Sequence, residues 1–165
     1  MPKRYGQSCP VARSLEFLGE RWTLLIVRDL LSGPRRFQDL QASLAGVAPT
    51  VLSHRLKILE THGIVRRGWY SHHPPRAEYT LTERGQDLKA TVRALAIWGA
   101  RHAKGESVVI HETCGGAIEI AYFCPTCDKT IPSAEVRRRP VTRRAAPRVR
   151  PRRATARTQT RTRAR

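Results

Sequence analysis

Apolar residues recur along the chain with the period of a helix, then of a strand, then of a helix again. Val11, Leu15 and Leu18 follow Ser8-Cys9-Pro10 at i, i+4 and i+7 and stop at Gly19, which predicts a first helix opened by a proline at its first position. From about Arg21 to Leu31 the residues Trp22, Leu24, Leu25, Ile26, Val27, Leu30 and Leu31 are nearly continuous. A helix that apolar belongs at the centre of a core rather than on a surface. Ser32-Gly33-Pro34 breaks it, a short helix follows over Phe37 to Leu44, and Gly46 closes that one. Pro49 opens a fourth helix ending before Gly63, in APTVLSHRLKILETHG. Its buried stripe is Val51, Leu52, Leu56, Ile58 and Leu59, which leaves Thr50, Ser53, His54 and Lys57 on the opposite face. Two short helices joined by a tight turn, the second with a polar and basic outer face, predict a helix-turn-helix.

After Gly63 the period becomes that of a strand. IVRRGWY and AEYTL read as the arms of a β-hairpin with about five residues a side, and SHHPPR as its loop. Thr82 then caps a long helix to about His102, with Leu88, Val92, Leu95, Trp98 and Gly99 on a single face. Helix, helix-turn-helix, hairpin, helix is the order of a winged helix. The expected fold class is therefore mainly α with a small β-hairpin wing. In such a fold Thr50, Ser53, His54 and Lys57 would face the major groove of double-stranded DNA, with Arg55 and Lys57 near phosphates. Arg66 and Arg67 at the base of the hairpin, with His72, His73 and Arg76 at its tip, would follow the backbone or reach the minor groove. A polar helix face and a charged hairpin are also what plain solvation and protection of a sheet edge would produce.

Charge sharpens this picture. Of the net +18, thirteen arginines from Arg137 onward carry +13 with no acid among them, leaving +5 for the rest. That tail interleaves Arg with Pro, Ala and Thr and has too little apolar surface to offset the entropy of ordering. Residues 137–165 are expected to be disordered; they would either strengthen non-specific, salt-sensitive phosphate binding or be a compositional tail without a role. The first residues have no apolar core of a targeting signal, and LLIV at 24–27 and ALAIW at 94–98 are too short to cross a bilayer. The expectation is a cytoplasmic, nucleoid-associated protein without a membrane partner. Paired carboxylates, a glycine-rich phosphate loop and a Ser/His/Asp arrangement are not legible in the sequence, so an enzyme is not expected.

Four stretches, CPVARSLEFLGERWTLLIVRDLLSGPRRF, LSHRLKILETHGIVRR, PPRAEYTLTERGQDL and the Trp that ends the last helix, occur in this order between residues 9 and 102. In them the chain resembles the HxlR-type winged helix-turn-helix family of bacterial transcriptional regulators. The resemblance implies a homodimer, held by the N-terminal helix and the 83–102 helix, whose two wings and two recognition helices read a palindromic operator. For some members it also implies sensing of oxidants or electrophiles by a cysteine at the position of Cys9. The residues themselves allow that reading: Cys9 precedes a helix N-terminus, and Lys3, Arg4 and Arg13 are near in sequence, all of which favours a thiolate. A small buried hydrophobe is the bland alternative. One departure from the family pattern is GVAPTV, where Val47 and Ala48 stand before Pro49 in place of a polar cap.

Beyond the winged helix, residues 9–104, lies a Cys/His-rich extension at 105–136. Within it HETCGGAIEIAYFCPTC sets His111 and Cys114 two residues apart, and Cys124 and Cys127 likewise. This is a zinc-ribbon-like spacing, and four protein ligands would make the zinc structural. A Cys124–Cys127 redox dithiol, as in a thiol oxidoreductase, and an unmetallated strand packed on the winged helix are the rivals. For the whole chain the runner-up is a basic nucleic-acid-binding module without regulatory specificity.

Overall fold

The computed structural model describes residues 5–72, 75–103 and 109–137, without the side chains of 70–72, 75 and 76. The chain divides into two compact units, Met1–Ile120 and Ala121–Arg165. The arginine-rich tail beyond Arg137 lies outside the described residues, as does His73.

In the first unit, α1 (Pro10–Leu18) starts with its proline directly after Cys9 and stops at Gly19. It buries Ala12 and Leu18, while Val11 and Leu15 stand 64% and 39% exposed. The expected stripe is therefore only partly turned inward in the single chain. Helix α2 (Thr23–Leu30) is the centre of the core, with Ile26 and Val27 fully buried. The residue before it, Trp22, adopts φ 78°, a left-handed conformation that costs a non-glycine residue on the order of 1–2 kcal/mol. Its ring packs against the core and carries the Arg21 guanidinium 4.9 Å from its centre, which offsets part of that cost.

Strand β1 (Arg35–Arg36) leads into α3 (Phe37–Ser43), where the Asp39 carboxylate accepts the Arg36 N–H at 2.9 Å and satisfies one of the open donors of the helix start. Ser43 donates to the Asp29 carboxylate at 2.6 Å and ties α3 to α2. Helix α4 (Pro49–Thr61) presents Leu52, Leu56 and Leu59 to the core. Its N-cap is Ala48, with no side-chain hydrogen bond, so proline at the first turn stands in for the polar cap.

The wing is longer than its hydrophobic arms suggest. Strand β2 spans Val65–His72 and β3 spans Pro75–Leu81, paired antiparallel from Val65 opposite Leu81 to His72 opposite Pro75. Most of the expected loop is thus strand. Pro75 does not prevent this, because a proline is tolerated at the first residue of a strand. β1 pairs with the other edge of β3, giving the order β1-β3-β2.

The long helix after the wing is two helices. Thr82 caps α5 (Glu83–Gln86), its hydroxyl accepting the Gly85 N–H at 3.2 Å and donating to the Gly63 carbonyl at 2.6 Å. Gly85 is buried, and a Cβ there would collide with the Ile64 carbonyl oxygen. This explains why glycine occupies an otherwise helical position. A single residue, Asp87, separates α5 from α6 (Leu88–His102), which turns Leu88, Val92 and Ile97 toward the core but leaves Leu95 50% and Trp98 59% exposed.

Two hairpins carry the Cys/His residues. In the first unit, Ile110 bridges Ala117, and the His111 N–H donates to the Gly116 carbonyl at 2.8 Å. In the second unit, β4 (Tyr122–Cys124) pairs with β5 (Lys129–Ile131), followed by a short 3-10 turn at Ser133–Glu135.

Candidate nucleic-acid interface

The outer face of α4 forms the wall of an open groove lined by Phe37, Pro49, Thr50, Ser53, His54 and Lys57. Thr50, Ser53, His54 and Lys57 are all exposed and share this face, because positions 50, 53, 54 and 57 repeat at helical spacing. Phe37 was not among the residues expected here. Its only sequence signal was its place at the start of the preceding helix, and the groove draws on both helices of the pair. The groove also contains the first turn of α4, whose open backbone N–H groups and dipole favour an anion.

Arg55 is placed elsewhere. Its guanidinium Nη2 meets Glu20 Oε2 at 2.7 Å and its Nε donates to the Arg21 carbonyl at 3.3 Å, with the side chain only 15% exposed. It clamps α4 to the turn between α1 and α2 instead of joining Lys57 on the groove. Two further contacts fix the same helix: His62 at its end stacks on Phe17 of α1 at 4.4 Å, and Gly63 accepts the Thr82 hydroxyl. The groove face of α4 is thereby held at several points along its length.

On the wing, Arg66 and Arg67 are exposed and alternate across the sheet, and the Arg67 guanidinium lies 4.4 Å from the Trp69 ring centre. His72 and Arg76 lie on the strands, with side chains outside the described ones, and His73 is outside the described residues altogether. Arg35, exposed on β1 at the edge of the same sheet, adds a charge that the sequence reading passed over. Its signal was the pair Arg35-Arg36 just before the first helix of the helix-turn-helix.

Cys9 is half-buried at the N-cap of α1, its carbonyl accepting the Arg13 N–H at 3.0 Å. His111 Nδ1 lies 3.2 Å from Cys114 Sγ. Cys124 has its pKa lowered, chiefly by hydrogen bonds from the backbone N–H groups of Cys127 and Thr126, while the hydrogen bond with Cys124 raises that of Cys127. Among the described residues no three His, Cys, Asp or Glu side chains cluster closely enough to hold a metal ion.

The model of the HxlR-like helix-turn-helix family matches residues 17–107, which is more than half of the chain. The chain belongs to this family. An uncharacterized HTH-type transcriptional regulator of Mycobacterium tuberculosis, Rv3095, is 41% identical to this HxlR-type chain over 130 residues, covering 76% of it and 82% of the relative. Among solved structures, a putative transcription factor of Pseudomonas aeruginosa, PA1374, is 33% identical with a TM-score of 0.64, covering 84% of this chain and 95% of that one. The oxidized form of the redox regulator HypR is 31% identical with a TM-score of 0.56, covering 59% of this chain and all of that one, 100%. The HxlR-type chain is accordingly a DNA-binding transcriptional regulator with a winged helix-turn-helix, and α4 is the second helix of that pair. Among the described residues no helix is long and apolar enough to cross a membrane.

Proposed function

We propose that this regulator binds a palindromic operator as a homodimer, in the cytoplasm on the nucleoid. The observation that carries the reading is the groove face of α4, where Thr50, Ser53, His54 and Lys57 stand exposed together beside Phe37. Hydroxyls and an imidazole can meet base edges while Lys57 meets phosphate. Arg66 and Arg67 would add phosphate contacts from the wing, and His72, His73 and Arg76 from its tip. The dimer is supported by Val11 and Leu15 on α1 and by Leu95 and Trp98 on α6, apolar side chains that the single chain leaves in water. Their burial against a second copy would complete the two stripes that periodicity predicts.

The test is binding of the purified protein to its own upstream DNA against excess random duplex at two salt concentrations, with the mass in solution measured alongside. Retention of the specific complex by a dimer is the expected result. A complex that competitor abolishes, and that weakens steeply with salt, would favour the runner-up, a basic nucleic-acid-binding module without regulatory specificity.

Response to oxidants or electrophiles through Cys9 is supported by its position before the first turn of α1 and by the likeness to a protein described as a redox regulator. Diamide should weaken operator binding by the native chain and leave Cys9→Ser unaffected. Identical diamide responses in the two proteins would remove Cys9 from the mechanism.

A further inference from the structure

We propose that Cys124 and Cys127 form a reversible intrachain disulfide by exchange with small-molecule disulfides. The site lies wholly within the second unit and stands apart from Cys9 and from the reading of DNA by the winged helix.

The hairpin brings the two sulfurs together. Cys124 ends β4 and is paired with Lys129, the first residue of β5, so that only residues 125–128 connect the strands. A connection this short must fold straight back. It returns Cys127 to the strand end, where its thiol hydrogen-bonds the Cys124 sulfur. Two residues hold that path: Pro125 restricts its own φ, and Asp128 takes φ 50°, a left-handed value that aspartate is among the few side chains to visit. With the sulfurs already in contact, closing a disulfide asks for little movement of the backbone.

The same arrangement gives the two thiols different roles. The backbone N–H groups of Cys127 and Thr126 point at the Cys124 sulfur, the Cys127 thiol donates to it, and Lys129 stands opposite with a positive charge. All of these favour a thiolate at Cys124. Cys127 holds its proton more firmly, because it is the donor in that contact. Cys124 is therefore the attacking group and Cys127 the resolving one. Both are reachable, Cys124 half-buried and Cys127 exposed, and no residue from 121 to 137 is buried.

The exchange runs in two steps. The Cys124 thiolate attacks one sulfur of the small disulfide, forms a mixed disulfide with it and expels the other half as a thiolate. Cys127 then loses its proton and attacks the Cys124 sulfur, which breaks the mixed bond and expels the second half. The small disulfide gains the two electrons that the chain gives up and leaves as two thiols, taking up the protons that the cysteines shed. Excess small thiol reverses both steps. Disulfides of this transient kind are the ones that a reducing compartment permits.

The test uses the full-length native chain beside a full-length Cys9→Ser/Cys114→Ser variant, in which Cys124 and Cys127 are the only cysteines left. Each is treated with oxidised and then reduced glutathione, and free thiols are counted by alkylation and mass. Oxidised glutathione should remove both thiols of the variant without leaving glutathione on the chain, and reduced glutathione should restore them. Adding Cys127→Ser to the variant should trap glutathione on Cys124, whereas adding Cys124→Ser should slow the reaction about tenfold. Thiols that stay free throughout, or that resist both reagents until a chelator strips a bound metal, overturn the proposal. So do a covalent dimer in place of the intrachain bond, and glutathione that collects faster on Cys127 than on Cys124.

Discussion

Arg55 and Lys57 lie two positions apart on α4 and carry the same charge, but Arg55 is paired with Glu20 whereas Lys57 is exposed on the groove. Removing Arg55 should cost stability, and removing Lys57 should cost phosphate contact. The Arg55–Glu20 pair has one partner 15% and the other 47% exposed, so solvent screening holds it near the surface scale of about 0.5–1 kcal/mol. Loss of the donor to the Arg21 carbonyl adds about 1 kcal/mol. Together, Arg55→Ala should destabilise the winged helix by about 1–2 kcal/mol, roughly 5–15 °C in Tm for a domain of this size. Lys57→Ala should leave Tm nearly unchanged and reduce the slope of log K against log salt by about 0.9 for each protomer that loses a phosphate contact. Thermal melts and fluorescence anisotropy over a series of KCl concentrations measure both quantities. In the melts, Glu20→Gln should reproduce part of the Arg55→Ala loss, and the double substitution should fall short of the sum. An Arg55→Ala protein with native Tm and a salt slope flattened by about 0.9 per protomer would refute this division and make Arg55 a phosphate contact.

Gly85→Ala should destabilise by about 1–3 kcal/mol in thermal or urea unfolding, because the Ile64 carbonyl is backbone and must move to admit the methyl group. Leu52→Ala, which empties a fully buried position of α4, should cost about 2–5 kcal/mol by the same measurement. Truncation before Arg137 removes thirteen arginines and should flatten the salt dependence of binding to random duplex; an unchanged slope would mean that the tail does not touch DNA.

What the sequence disclosed follows the range of the interactions involved. Helices α2 and α4 were legible because each has a long apolar face with an unmistakable period, and the groove residues of α4 followed from that period alone. The break at Asp87 was not, since the apolar pattern runs straight through it. Arg55 was assigned to DNA because one-dimensional spacing sets it beside Lys57. Its partners, Glu20 and the Arg21 carbonyl, lie more than thirty positions earlier and become neighbours only when the α1–α2 turn folds. The left-handed Trp22 carries no sequence signature, as nothing local distinguishes it from an ordinary helical tryptophan. For α1 and α6 the periodicity was sound, but it described a surface that the single chain leaves partly uncovered.

The one-residue interruption at Asp87 has a mechanical consequence. Short α5 is pinned to the end of α4 through Thr82, Gly63 and Gly85, and α6, fifteen residues and about 22 Å long, packs Leu88 and Val92 on the core and leaves Leu95 and Trp98 exposed. A tilt of about 10° at that fulcrum would swing the far end by about 4 Å while the pinned end stays with α4. In a dimer joined through α6, small rotations at the junction of the copies would become shifts in the distance between the two α4 helices, which would have to match one turn of DNA, about 34 Å. In such a dimer, Asp87 would be the point at which a change in subunit angle becomes a change in which operator fits.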